Sequence, residues 1–263
     1  MAATHMKKPF LFAFAFFLIF LVTISHASDL AKEKRWAEQI IDAIFDGDPI
    51  TLKDGDVEFL AIYTPSATDN TVDAAIVMHG LGVHPDWDQV VRPLRTGLPE
   101  QGWATLSLQM PILENGVDHV EYAPLFSEVA GRIDAGLAYL KEQGAKRIVI
   151  IGHSLGAAMG SYYLANHQPE IVAGFIGVGM GSSSKPVMDN VVSLKSVQVP
   201  VLDLYGENDL DDVVASAGDR KKVIASHNNP VTTQKMVAGA GHFFDGKNEE
   251  LMNEVVAWLK TIK

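Results

Sequence analysis

Residues 147–166 impose the tightest constraint on this chain. An apolar run, Arg147-Ile148-Val149-Ile150-Ile151, passes through Gly152-His153-Ser154-Leu155-Gly156 straight into a helical stretch that ends at Asn166. Uniform apolarity over so few residues predicts a strand buried on both faces, which is the habit of parallel sheets. The small residues Ala157, Ala158 and Gly160 predict a helix lying close against that strand.

The same alternation recurs on either side. Val57–Thr64 alternates apolar with other residues, as a half-buried strand does, after an Asp54-Gly55 turn. Ala74–Met78, Ala104–Leu108, Ile171–Val178, Val201–Tyr205 and Val231–Val237 are further strand candidates. Helical spacing marks Asp29–Phe45, Trp87–Leu98, Leu125–Gln143, Ser154–Asn166 and Glu249–Ile262. Strands alternating with helices predict an α/β fold: a mostly parallel sheet with helices on both faces, with ligands at the carboxyl ends of the strands. The 263 residues suit one such domain, and residues 28–263 read as a single unit without repeats or linkers.

Composition narrows the chemistry. The formal net charge of −11 disfavours nucleic acid and anionic membrane as partners. The absence of cysteine excludes disulfides, a Cys nucleophile and cysteine-ligated metals. The N-terminus carries Lys7-Lys8, then an uncharged apolar run of 13 residues from Phe10 to Val22, then small residues at Ser25 and Ala27. That order is the pattern of a secretory signal peptide, residues 1–27, cleaved after Ala27, with Met6 as an alternative start. The run is shorter than the roughly 20 residues a membrane span needs. Export to the periplasm or beyond, without stable membrane insertion after cleavage, is therefore expected.

The glycine-flanked serine has the context of a nucleophile elbow, a sharp strand-to-helix turn that presents its hydroxyl. Ser154 is the expected nucleophile. A serine hydroxyl needs a base within reach and a group to orient that base. His242, in the loop Ala240-Gly241-His242-Phe243-Phe244 before the last helix, is the leading base. Asp209, just past the strand Val201–Tyr205, is the expected acid, with Glu207, Asp211 and Asp212 as competitors; Asp203, inside that strand, reads as structural. Met78-His79-Gly80-Leu81-Gly82 ends a strand beside the elbow. The amides of Leu155 and Leu81, with Gly82 in reserve, are expected to form an oxyanion hole, and Gly80 lets the backbone approach substrate. Trp87, Met110 and Met180 are candidate linings of a substrate pocket.

Together these segments resemble the α/β-hydrolase superfamily over Val57–Lys263, in which nucleophile, acid and histidine follow one another in the order Ser154, Asp209, His242. His79-Gly80-Leu81-Gly82 with Pro85-Asp86-Trp87, and the run Leu98–Ser107, are similar to an exported bacterial branch without a settled function. The resemblance implies a serine hydrolase acting on a small ester or acyl substrate, with no metal or organic cofactor; the histidines also lack metal-binding spacing. The segment Gly179–Val199, about twenty residues, leaves little room for a lid. Two rivals stand beside this reading: a catalytically silent binding or scaffolding protein on the same fold, and a hydrolase of peptide or thioester bonds.

Overall fold

The structure, a computed structural model, describes residues 1, 28–69 and 72–262. The expected leader therefore lies outside the described residues, Met1 aside. Among the described residues no helix is long and apolar enough to cross a membrane.

Eight strands form one sheet. In chain order they are β1 (Asp48–Asp54), β2 (Val57–Thr64), β3 (Asp73–Met78), β4 (Ala104–Leu108), β5 (Arg147–His153), β6 (Val172–Val178), β7 (Val201–Asn208) and β8 (Thr233–Gly241). Across the sheet the order is β1-β2-β4-β3-β5-β6-β7-β8. The first two pairings, β1 with β2 and β2 with β4, are antiparallel; the others are parallel. This is the α/β-hydrolase fold.

Alternation along the central strands divides the core. Ile148 and Ile150 of β5 enter one cluster with Ala74, Ile76 and Met78 of β3, beneath α3 (Val129–Glu142) and α4 (Leu155–Asn166). Val149 and Ile151 point the other way, joining Leu94 of α2 (Val91–Gly97) and Trp258 of α7 (Asn248–Leu259). Each fully buried Ile or Val contributes about 1.5–3 kcal/mol of transfer free energy, so two-sided burial of β3 and β5 anchors the sheet's centre. Chain order reverses direction at β3, which lies between β4 and β5. Crevices open at such a reversal, on the carboxyl side of the strands.

Several boundaries differ from the sequence expectation for local reasons. The first helix, α1, spans Leu30–Ala43, capped by the Asp29 side chain accepting from the Lys32 amide at 2.9 Å. The helix expected from Leu125 begins only at Val129, because Pro124 sits in a preceding 3-10 stretch, His119–Glu128. The helix expected from Trp87 begins at Val91, after Val90 takes a left-handed φ of 60°. Strand β1 and helix α6 (Asp211–Ala225) carry weak apolar patterns. β1 is a half-exposed edge strand, and the buried side of α6 includes a charged residue, Arg220. The segment between β6 and β7 holds one 3-10 turn, Pro186–Met188, and the five-residue helix α5, Asn190–Leu194. It forms no lid domain.

Asp203 on β7 is fully buried and structural. It accepts from Arg220 Nε at 2.8 Å and from Gln234 Nε2 at 2.7 Å. Arg220→Ala would strand that carboxylate, so it should lower unfolding free energy by about 3–5 kcal/mol. Denaturant titration should show a lower midpoint, and an unchanged midpoint would remove this pair from the structural core.

Candidate active site

Ser154 occupies the bend between β5 and α4 with φ 55° and ψ −119°, a region that ordinary residues avoid. The bend is tolerable because of what flanks it. A Cβ on Gly152 would lie 2.6 Å from Ala157 Cα, and one on Gly156 would lie 2.6 Å from the Met78 carbonyl oxygen. Both distances are inside contact limits, so only glycine lets α4 press against β5 and the end of β3. The serine is left half-buried at the carboxyl edge of the sheet.

His242 follows β8 and Asp209 follows β7, adjacent strands in the sheet. His242 Nδ1 and Asp209 Oδ1 are 2.5 Å apart. The backbone amides of Gly206 and Leu210 donate to the same carboxylate at 3.1 and 2.8 Å. Burial works against ionisation of Asp209, but these donors outweigh it and hold the carboxyl below the usual aspartate range. With Nδ1–H engaged by Asp209, Nε2 carries the imidazole lone pair. Ser154 and His242 line the same two cavities, and among the described residues no hydrogen bond closes between them. Such contacts commonly tighten only when substrate is bound.

The competing acids have other places. Glu207 accepts from the Gly239 amide at 2.8 Å, while Asp211 and Asp212 open α6 as exposed residues. Asp212 does reach the rim of the larger cavity.

Two buried histidines lie behind the site. His79 Nε2 accepts from the Met110 amide at 2.9 Å and from Gln109 Nε2 at 3.0 Å. Its proton must then sit on Nδ1, which donates to the Gly80 carbonyl at 2.9 Å. That bond turns the Gly80 carbonyl toward His79 and leaves the Leu81 amide free to face outward. His153 Nε2–H donates to the His242 carbonyl at 3.0 Å, and its ring lies 4.9 Å from the His242 ring. Sequence reading had given these histidines no defined role; their signal was only adjacency to the two glycine-containing turns. Among the described residues, no acceptor pairs with the Leu81 or Leu155 amide.

The larger cavity, about 440 Å³, is lined by Leu81, Val120, Met188 and Val213 with the polar Ser182, Asn190 and Asp212. A second, about 220 Å³, is walled by Val83, Trp87, Leu210 and Phe243 beside Gly80. Both reach Ser154. Of the three expected lining side chains, Trp87 is in place. Met110 and Met180 are not: both are fully buried, and Met180 packs over Gly177 while Met110 lies in the core cluster under α3. Met188 and Leu210 take those positions at the cavities. Among the described residues no cluster of His, Cys, Asp or Glu is arranged to hold a metal ion.

A family model described as a protein of unknown function, DUF3530, matches residues 29–124 and 124–261. No curated protein matches the chain. Solved structures do. Dienelactone hydrolase from Anabaena variabilis matches with a TM-score of 0.66 at 18% identity, covering 82% of this chain and 98% of that one. Est1E from Butyrivibrio proteoclasticus matches with a TM-score of 0.63 at 15% identity, with the same coverages. XC6422 from Xanthomonas campestris, described as an α/β serine hydrolase without lid, gives a TM-score of 0.62 at 14% identity over 83% and 96% of the two chains. Likeness at these identities establishes the shared fold.

Burial is the main force on both buried histidines, pushing His79 down to about 3 and His153 down to about 4. Unfolding releases them to titrate near 6.5. Between pH 6.5 and 5 the unfolded chain therefore binds more protons than the folded one, and stability falls with falling pH, by up to about 1.4 kcal/mol per pH unit for each histidine. Tm should hold between pH 8 and 7 and drop from 6.5 to 5, less steeply in His153→Gln. A Tm flat over that lower interval would mean that the native rings take up protons.

Proposed function

The chain belongs to the DUF3530 family of proteins of unknown function, and we propose that it is a serine hydrolase that cleaves carboxylic esters through an acyl-enzyme on Ser154. One observation carries this reading: a strained, glycine-flanked serine shares a cavity with an imidazole whose far nitrogen is bound to a buried carboxylate at 2.5 Å. An idle serine would gain nothing from a left-handed backbone, whereas a nucleophile gains exposure at the sheet edge.

In the proposed reaction Ser154 Oγ attacks the ester carbonyl while His242 Nε2 takes its proton. Asp209 holds the imidazole in the required tautomer and stabilises its cationic form. The amides of Leu81 and Leu155 donate to the developing oxyanion, each worth about 3 kcal/mol in the transition state. Collapse expels the alcohol, which receives the proton from His242. Water, deprotonated by the same imidazole, then attacks the acyl-enzyme and frees the acid and Ser154.

The surroundings favour a substrate with an apolar part. Leu81, Leu210 and Phe243 are large hydrophobic residues, each more than a third exposed, and all three line the clefts at Ser154. Exposed apolar side chains gathered around a concavity mark a surface meant to be covered. The short segment between β6 and β7 leaves the approach open. The leader-like N-terminus supports action outside the cytoplasm.

A fluorophosphonate probe should label the purified protein at Ser154, and Ser154→Ala should abolish the label. Absence of labelling under conditions that modify an ordinary serine esterase would leave a silent binding protein as the better reading. Asp209→Asn should lower kcat for a nitrophenyl ester by about 10⁴-fold, as the wrong tautomer does in such triads. Asp211→Asn should stay near wild type, and equal losses would unseat Asp209. A panel of short and long acyl esters, thioesters and peptides on the same protein separates ester cleavage from its rivals.

A further inference from the structure

The first described backbone after the leader-like segment does not trail into solvent. Ser28 is 7% exposed, and its backbone nitrogen donates to Glu128 Oε1 at 3.0 Å. Its hydroxyl donates to Glu128 Oε2 at 2.8 Å and accepts from Arg132 Nη2 at 3.1 Å. Next to it, the Asp29 amide donates to the Ile112 carbonyl at 2.7 Å.

The charges around Ser28 do not balance. Arg132, 1% exposed, makes a two-pronged pair with Glu33 at 2.8 and 3.1 Å and stands 3.7 Å from Glu128. The Glu33 side chain is 5% exposed and that of Glu128 24%. Lys32, on the same helix as Glu33, turns away to the Leu113 carbonyl and Asn115. The cluster thus holds two carboxylates against one guanidinium, a surplus of negative charge in a site that discourages it. Burial, aided by Glu128 and opposed by Arg132, raises the Glu33 carboxyl above its usual range.

We propose that the mature chain begins at Ser28 and that its α-ammonium group, seated on the Glu128 carboxylate, is a built-in part of the fold. Hydrolysis of the Ala27–Ser28 bond by a leader-cleaving peptidase consumes one water, leaves a carboxylate on Ala27 and an amine on Ser28, and the amine takes up a proton. A neutral amide donor becomes a cation at the same atom, 3.0 Å from Glu128, and the cluster's charge closes to zero. Charge-assisted bonds of this kind are roughly twice as strong as neutral ones. The cluster is also linked, through two intervening residues, to the proposed oxyanion loop. Arg132 Nη1 donates to the Gln109 carbonyl at 2.9 Å, and the Gln109 side chain meets His79, which holds Gly80. Leader removal therefore replaces a neutral bond with a charge-assisted one at the base of that line.

The inference rests on reading residues 1–27 as a leader, and its test does not depend on catalysis. Intact mass of the protein exported by an expressing bacterium should show Ser28 as the first residue. At pH 7, N-hydroxysuccinimidyl acetate should acylate the Ser28 amine in the native protein at least ~10-fold more slowly than in Glu128→Gln, the factor that one pKa unit imposes. Lys34, whose side chain is 78% exposed, serves as the internal reference. A chain carrying one extra glycine before Ser28, released from a removable tag, should melt about 2–4 °C lower than the chain beginning at Ser28. That comparison stands alone if Glu128→Gln does not fold. Retention of residues 1–27 would overturn both the leader reading and this one. A different first residue, equal acylation rates or equal melting temperatures would overturn this inference while leaving hydrolysis and export untouched.

Discussion

The close approach of α4 to β5 and β3 is the contact on which the rest depends. Gly156 lies against the carbonyl ends of β3, and Gly152 lies against the first turn of the helix that follows it. With no side chain at either position, the helix seats directly on the sheet and the chain turns through Ser154 in a left-handed conformation. That single bend sets the serine at the carboxyl edge, next to the loop after β3 on one side. On the other lie the loops after β6, β7 and β8. Any residue larger than glycine would lift α4, and Met78, Ala157 and Ala158 would leave the core cluster they now share.

Around that bend the polar groups are arranged by burial rather than by charge. His79 and His153 are held neutral, and each uses its one N–H to fix a carbonyl: Gly80 for the first, His242 for the second. A protonated His153 would place a charge 4.9 Å from the centre of the His242 ring. The neutral rings avoid this while still directing the backbone. Asp209 is the exception in the group, buried yet ionised, because three donors converge on it. Asp209 alone of the group is anchored in its charged form, while the two buried imidazoles stay uncharged.

How far this was legible in sequence follows from where the physics is local. The elbow was readable because its requirements are contiguous: an apolar strand, glycines two positions on either side of a serine, then small residues. β2 and β4 were readable to the residue, since alternation or full burial leaves a short-range signature. Helix α6 was not. Its buried face includes Arg220, and a charged residue on that face erases the apolar period unless its partner, Asp203, is known to sit beneath it. Met110 and Met180 failed as pocket residues for a related reason. Position near a strand end fixes the region but not which way a flexible side chain turns, and both turn inward. Sequence position favoured Asp209 as the acid without dismissing the acids around it. What separates it from Glu207, Asp211 and Asp212 is its contact with His242, set by the long-range return of β8 beside β7.

That pairing and the buried line from Ser28 to Gly80 show two ways of aligning groups distant in sequence. β7 and β8 are neighbours in a hydrogen-bonded sheet, so Asp209 and His242 inherit their separation from strand spacing. The loop after β3 has no such ladder, since it lies past the end of that strand. Its backbone is held from below instead, through His79, Gln109 and Arg132, by groups from the loop after β4 and from α3. A loop held in this way is only as rigid as the least satisfied member of the line. Gln109 Oε1 lacks a partner among the described residues, so the weak link lies at that amide rather than at the guanidinium. Asp209 and His242 are thus positioned by strand pairing and the Gly80–Leu81 backbone by side chains, and mutations far from Ser154 should reach the second far more readily than the first.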